Sequence, residues 1–374
     1  MAQVKRAPFR ADHVGSLLRP RRLKEARDAF ERGALARAAL SEMEDAAIRE
    51  AVRLQEEAGL QLATDGEFRR KEWHMDFLKQ FANVRQVAGE FKLRFHTHES
   101  EMEVTPPGLR IEGKLGRPHP IFVDHFKFLH GVTKRTAKQT IPSPTIMHFR
   151  GGRAAVDTKA YPEMAQFFAD LARVYSEEIA DLAAAGCRYL QIDDTNFAYL
   201  CDPTFRDQVR NNIHEDPDAL LPTYVKLIND AIAKRPADMA VCMHICRGNN
   251  QSAWLAEGGY DPVAETLFNE VKIDGFFLEY DTSRAGDFAP LRFVPKGKMI
   301  VLGLVTSKEA KLESKDDLKR RIDAAAKYVP MEQLCLSPQC GFSSTIEGNK
   351  VTVEDEIAKL RLVVETAREV WGDA

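Results

Sequence analysis

A chain of 374 residues is longer than most single domains, but an α/β barrel with insertions reaches this length as one unit, so residues 1–374 are read as one domain. Its 53 basic and 56 acidic side chains, with no long like-charge block, lack the signature of a nucleic-acid binder. No apolar run of about 7–15 residues follows the N-terminal charges and no stretch approaches ~20 apolar residues, so neither a leader nor a membrane span is expected and a cytoplasmic protein is.

Taken in chain order, a first strand is expected near 13–18. A helix opened by a Ser41-x-x-Glu44 capping box carries Ile48, Ala51 and Val52 on one side and stops at Gly59. Residues 60–67 read as a strand ending in a polar turn. Residues 85–137 break the rhythm with charge, Gly, Pro and short alternating runs (91–95 and 101–104), the pattern of a hairpin-bearing insertion. A strand near 141–148 follows. Met164, Phe168, Leu171, Tyr175, Ile179 and Leu182 then fall on one helical face that closes at Gly186, ahead of a strand over 187–193. Helix 216–234 precedes strand 239–246, helix 261–272 precedes strand 275–281, and a strand covers 298–305. Helix 314–329 precedes strand 333–337, and helix 352–371 closes the chain. Alternating strands and helices with eight strand candidates predict a (β/α)₈ TIM barrel of the α/β class.

In such a barrel, chemistry gathers where strands end at their carboxyl side. Within 239–246 the alternation of a strand puts Val241, Met243 and Ile245 toward the helices and Cys242, His244 and Cys246 toward the axis. Within 275–281 it leaves Phe277, Glu279 and Asp281 facing inward. After strand 333–337 the Pro/Gly-punctuated run 337–342 exposes Cys340 in a loop. Six cysteines are too sparse for a secreted disulfide scaffold. Spacing alone leaves His244 and Cys246 open between a metal site and a satisfied core pair, since free cysteine packs as a small hydrophobe.

Six ordered blocks narrow that choice. Val14-Gly-Ser16, Asp65-Gly-Glu67-Phe-Arg-Arg70, Gln191-Ile-Asp193-Asp, Met243-His-Ile-Cys246, Leu278-Glu-Tyr-Asp-Thr-Ser-Arg284 and Pro338-Gln-Cys-Gly341 together resemble the catalytic half of cobalamin-independent methionine synthase. The resemblance implies one zinc held by His244, Cys246, Glu279 and Cys340, and homocysteine held at its amino and carboxylate groups by Ser16, Glu67 and Asp193. It implies thiol activation by the metal and attack of the thiolate on an electrophilic methyl, with a small-molecule thiol and a methyl donor as partners.

The chain departs from that pattern in three ways. It has no room for the family's N-terminal barrel, 303–308 holds no histidine where the family places one after its seventh strand, and Phe149 stands where the family has tryptophan near the third. His13, His74 and His148 are candidates for the missing role. The histidines of the insertion (96, 98, 119, 125 and 130) lack metal spacing and read as solvated loop. Without a group to protonate a departing folate, an already activated donor such as methylcobalamin is expected to outpace methyltetrahydropteroyl-triglutamate. The chain is also similar to the short epoxyalkane:coenzyme M transferases, so another donor or thiol, or a non-catalytic zinc- or thiol-binding barrel, remain alternatives. Oligomeric state is not encoded in any pattern found.

Overall fold

The computed structural model describes residues 7–89, 92–97 and 100–374. Twelve strands occur among them: β1 (Leu62–Ala63), β2 (Ala82–Val87), β3 (Leu93–His96), β4 (Glu101–Val104), β5 (Gly108–Gly116), β6 (Thr136–Ala137), β7 (Gln139–Pro142), β8 (Tyr189–Asp194), β9 (Ala240–Ile245), β10 (Gly275–Glu279), β11 (Met299–Val305) and β12 (Leu334–Pro338).

Strands β7 to β12 form one parallel sheet in sequence order. β6 pairs in parallel with β1 and is separated from β7 by Lys138, whose N–H donates to Ala63 O at 2.9 Å, so 136–142 act as one stave joining both neighbours. At the other margin Ala11 bridges Leu336 of β12, with Asp12 N–H donating to Leu336 O at 3.0 Å and Leu336 N–H to Arg10 O at 2.8 Å. The staves are therefore 10–12, β1, β6 with β7, and β8 through β12, which closes a (β/α)₈ barrel.

Two separate apolar clusters follow from strand alternation. Cys242, Tyr189, Phe277, Val301 and Cys335 pack inside the barrel. Val241, Met243, Ile245, Phe276, Leu278, Ile300 and Leu302 belong to the layer beneath the helices. The expected parities of β9 and β10 thus hold. The interior also carries a charged plug: Lys138 Nζ lies 2.9 Å from Asp12 Oδ1 and donates to His13 O at 2.6 Å, while Tyr189 O–H donates to Asp12 Oδ2 at 2.7 Å. Both ions are wholly buried, and only such full pairing makes that placement tolerable.

Three expectations are corrected. The first stave is 10–12 rather than 13–18, because Gly15 (φ +137°) turns the chain just beyond it. The stave expected at 141–148 runs over 139–142, where Pro142 and Pro144 end the ladder and the single helical turn Ile146–Phe149 follows. The capping box at Ser41 does not form. That helix begins at Arg37, and Glu44 is instead a buried acid facing Arg27, Arg37 and Arg69. Elsewhere Gly59 caps its helix in the left-handed region as expected, and the structure adds a reciprocal capping box of Thr352 and Asp355 that opens the last helix.

Between β1 and β6 lie two antiparallel pairs, β2 with β5 and β3 with β4. Thr136 and Ala137, expected in the insertion, belong to the barrel wall. In β3, Leu93 and Phe95 are buried and Arg94 is exposed; residue 91 lies outside the described residues. His96 and Trp254 exchange backbone hydrogen bonds of 2.7 and 2.9 Å, which ties this hairpin to the loop after β9. Among the described residues no helix is long and apolar enough to cross a membrane.

Candidate metal centre and substrate cavity

His244, Cys246, Glu279 and Cys340 meet at the carboxyl ends of β9, β10 and β12, with one ligand atom from each lying within 4.8 Å of the others. Strand alternation sets His244 inward at the top of β9, and Cys246 N–H donates to Asp194 O at 2.7 Å, extending the β8 ladder by one residue. Glu279 ends β10. Cys340 is carried by the turn after Pro338, which Gln339 fixes through an N–H bond of 2.8 Å to Val305 O and an Oε1 that accepts from Ser307 N–H at 2.6 Å.

The four side chains are buried, and their polar atoms are unevenly satisfied. Neither ring nitrogen of His244 has a hydrogen-bond partner among the described residues. Cys246 Sγ and Cys340 Sγ lie 3.5 Å apart. Glu279 Oε1 accepts from Arg247 N–H at 2.7 Å, and Oε2 accepts from Arg284 Nη2 at 3.2 Å. A hydrogen bond from the Cys246 sulfur lowers the Cys340 thiol well below its ordinary range against its burial, with His244 and Lys308 assisting. That same bond, then burial, pushes Cys246 up. Burial and the Cys340 sulfur raise the Glu279 carboxyl. The other cysteines differ: burial pushes Cys187, Cys201 and Cys335 each up to about 12, so they are inert packing residues.

Ser16, Glu67 and Asp193 line the same cavity of about 440 Å³ as His244, Cys246 and Cys340. Three loops converge to build it. Ser16 follows the turn at Gly15, and a Cβ on Gly341 would sit 2.0 Å from Ser16 Oγ, so any larger residue there would force the Ser16 hydroxyl out of its present position. Glu67 adopts a left-handed backbone (φ 62°), a conformation worth noting in a non-glycine residue. It is held there by its N–H bond to Asp65 Oδ1 (2.8 Å) and by Arg19 Nη2 donating to its carbonyl (3.1 Å). Thr140 Oγ1 donates to Glu67 Oε1 at 2.9 Å, while Oε2 is buried without a partner among the described residues. Asp193 accepts from Gln191 Nε2 at 2.6 Å, and burial, then the like charge of Glu67, pushes its carboxyl up to about 7.

Sequence reasoning missed the buried arginines that assemble these pieces. Arg19 donates to Ser343 O and Oγ, Glu67 O and Arg70 O, pinning three loops at once. Arg284 bridges Glu279 and Asp281 at 3.2 and 2.7 Å; it stands within a quoted block, which was the available signal. Of the three candidate histidines, His74 lines the cavity. His13 bonds Gln55 at 2.9 Å and His148 bonds Tyr224 O–H at 2.9 Å, both buried elsewhere. Within the insertion, His125 and His130 lie on a helix and stack on Phe122 and Phe126 instead of a solvated loop; residue 98 lies outside the described residues.

The family described as "Cobalamin-independent synthase, Catalytic domain" matches residues 9–369. An uncharacterized protein of Bacillus subtilis (strain 168), YxjH, is 46% identical over 370 residues, covering 98% of this chain and 96% of its own length. The methionine synthase of Saccharolobus solfataricus is 24% identical over 359 residues, with 91% of this chain and 94% of its own covered. A crystal structure from Listeria monocytogenes, named provisionally as a vitamin-B12-independent methionine synthase, superposes with a TM-score of 0.78 at 40% identity, covering 99% of this chain and all of its own.

Proposed function

The chain belongs to the cobalamin-independent methionine synthase family, and on that premise we propose that it transfers a methyl group to the sulfur of L-homocysteine at a single zinc ion, giving methionine. One observation carries the reading: three of the four clustered ligands and all three residues of the amino-acid clamp face one cavity.

The donor set suits zinc. Two sulfurs, an imidazole and a carboxylate are its preferred ligands, and tetrahedral coordination sets such atoms roughly 3.3–3.8 Å apart. The 3.5 Å between the two sulfurs meets that spacing, and the unpartnered nitrogens of His244 leave a buried donor atom without another role. When bound there, zinc supplies thiol activation, making the thiolate the stable form of a coordinated sulfur near neutral pH. The chain's own residues do the rest. Arg284 and Arg247 N–H hold the Glu279 carboxylate in place. Asp193 and Glu67 offer two carboxylates to an ammonium, and the Ser16 turn offers its polar groups to the carboxylate. Fixing the amino acid at both charged ends aims its sulfur at the ligand cluster, which turns a bimolecular encounter into a positioned displacement.

The same two carboxylates disfavour a sulfonate-bearing thiol such as coenzyme M, which has no ammonium to meet them. The test is to incubate zinc-loaded protein with L-homocysteine and a panel of methyl donors and to look for methionine, while zinc X-ray absorption follows the metal's neighbours. A new sulfur neighbour on adding homocysteine supports the reading. The same change with coenzyme M and none with homocysteine overturns it. A bound zinc indifferent to any thiol would point to a non-catalytic binding barrel.

A further inference from the structure

Among the described residues three lysines are buried, and they are not equivalent. Lys138 is paired with Asp12 at 2.9 Å and Lys359 with Glu313 at 3.3 Å. Lys308, just beyond β11, hydrogen-bonds to neutral oxygens: its Nζ donates to Asn249 Oδ1 at 3.0 Å and reaches the carbonyls of Gly248 and Ala253 at 3.5 Å. With Oδ1 accepting, Asn249 turns its Nδ2 to Gly341 O at 2.9 Å, one residue past Cys340. Ser307 Oγ donates to that same carbonyl at 3.1 Å. The loops that follow Cys246, β11 and Cys340 are thus joined through one amide. Gly248 and Asn249 line the substrate cavity, whereas Lys308 lines an outer polar groove beside Trp254 and Thr306.

An ammonium buried on neutral acceptors is costly unless anions stand near it. The acids of the groove are engaged elsewhere: Glu313 by Thr306 N–H at 2.7 Å and by Lys359, Asp281 by Arg284 at 2.7 Å, and Asp317 by Arg320 at 2.6 Å. Glu309, its neighbour in the chain, is exposed, as are Lys311 and Lys350 at the rim. The buried charge acts instead on the ligand cluster. Behind the larger effects of the sulfur–sulfur hydrogen bond on the cysteines and of burial on Glu279, Lys308 favours the ionised form of Cys246, Cys340 and Glu279. The cluster needs such a partner. Its two thiolates and one carboxylate outweigh a zinc ion by one negative charge, and an incoming thiolate makes the excess two. Arg284 divides itself between Glu279 and Asp281, and the Arg247 guanidinium lies over the Tyr260 ring at 4.5 Å.

We propose that Lys308 is a positioning residue for thiol activation: seated on Asn249 behind the ligand cluster, its charge offsets the negative charge that accumulates when the substrate's sulfur joins that cluster as a thiolate. The inference rests on the reading of the site as a thiol-activating zinc centre and adds a residue to it. Lys308 acts through the ligands and their loops and does not touch the substrate. In the step it serves, the substrate's S–H bond breaks, the proton leaves to solvent, and the electron pair of the sulfur is shared with the metal. Removing a cation from behind the cluster makes that anionic state costlier. The thiol then enters only at higher pH, while the neutral, empty-handed protein is little altered.

Cobalt-substituted protein provides a readout that needs no turnover, since sulfur-to-metal absorption grows when a thiolate joins the metal. Ethanethiol and L-homocysteine are titrated as a function of pH into the parent, Lys308→Gln, Lys308→Met and Lys308→Arg, with metal content and circular dichroism measured on each. Ethanethiol has no ammonium, so its midpoint is independent of the titration of Asp193. Lys308→Gln and Lys308→Met are each expected to raise the pH midpoint of thiolate entry by about one unit, a roughly tenfold weaker binding near neutrality, with Lys308→Arg close to the parent. Lys308→Gln keeps an N–H donor and loses the charge. If it matches the parent, Lys308 is a structural tie alone and the proposal is overturned; so it is if Lys308→Arg shifts as far as Lys308→Gln. Should Lys308→Met fail to fold, the comparison of Gln with Arg still decides. If neither thiol joins the metal in the parent, the thiol-activation reading fails and this inference with it. If ethanethiol enters with a midpoint set by Lys308 and homocysteine does not, the amino-acid assignment fails and the role of Lys308 stands.

Discussion

The two ends of the cavity are built on different principles. At the ligand end, His244, Cys246, Glu279 and Cys340 stand on or directly after barrel strands whose neighbours are paired on both sides, and every one is buried. At the roof, β3 and β4 form a separate two-stranded pair in which only Leu93 and Phe95 are buried and Met102 and Val104 are half-exposed. A parallel ladder fixes side-chain direction within narrow limits, as metal binding demands. A hairpin anchored mainly through His96 and Trp254 belongs to the part of a fold that opens at lower cost, as a site that must admit and release substrate requires.

The contrast is broken most severely at the ligand end. Cys246→Ser and Cys340→Ser are each expected to lower metal content from about one zinc per chain to a small fraction, with methionine formation lost and the barrel still folded, because the cluster caps the barrel mouth and leaves the inner core intact. Metal analysis and circular dichroism on the same preparations check this. Full zinc occupancy in both variants would mean that the four side chains are a packed cluster and no more.

Packing gives the next largest effect. Leu302→Ala, in the wholly buried layer behind β11, should cost about 2–5 kcal/mol. Phe95→Ala faces the cavity and should cost less, roughly 1–2 kcal/mol by the same cavity argument, while raising the KM for the donor. Denaturant unfolding with steady-state kinetics separates the two; equal destabilisation would show that the hairpin is as integral as the barrel wall.

Between the two ends lies the clamp. Asp193→Ala should weaken homocysteine binding by about 1–3 kcal/mol without loss of zinc, since it leaves the ammonium short of an anion. The sign of its pH dependence follows from its shift. Burial, then Glu67, raises the carboxyl to about 7, and only its ionised form attracts an ammonium, so the homocysteine KM should fall as pH rises through about 7. An Asp193→Asn enzyme with the same pH profile would assign that titration to another group.

The smallest effect concerns stability. Glu356 is buried with Leu18 N–H donating to its Oε2 at 2.8 Å, and burial raises its carboxyl to about 8. The folded state therefore holds this proton more tightly than the unfolded chain does. Its stabilising contribution is full below the unfolded value near 4.3 and is lost as pH rises through about 8. Glu356→Gln should gain in Tm relative to the parent between pH 6 and pH 9, and a constant difference across that range would refute the assignment.

Much of this was written along the chain. Alternation within β9 and β10 placed His244 and Glu279 inward because side-chain direction in a strand has a fixed period of two, whatever surrounds it. Gly59 and Gly186 stopped helices through local backbone geometry alone. What the sequence could not decide was anything dependent on partners remote in the chain. The short staves at 10–12 and 62–63 have too few residues to show a period, and they exist because Leu336 and Thr136 offer backbone partners. Glu44 looked like a cap because Arg27 and Arg69, two of its three arginines, stand 17 and 25 residues away; once they converge on it, burying the acid outweighs local capping. Arg150 and His74 meet in the same way, since two residues 76 apart in the chain come within 3.3 Å of each other only through the fold.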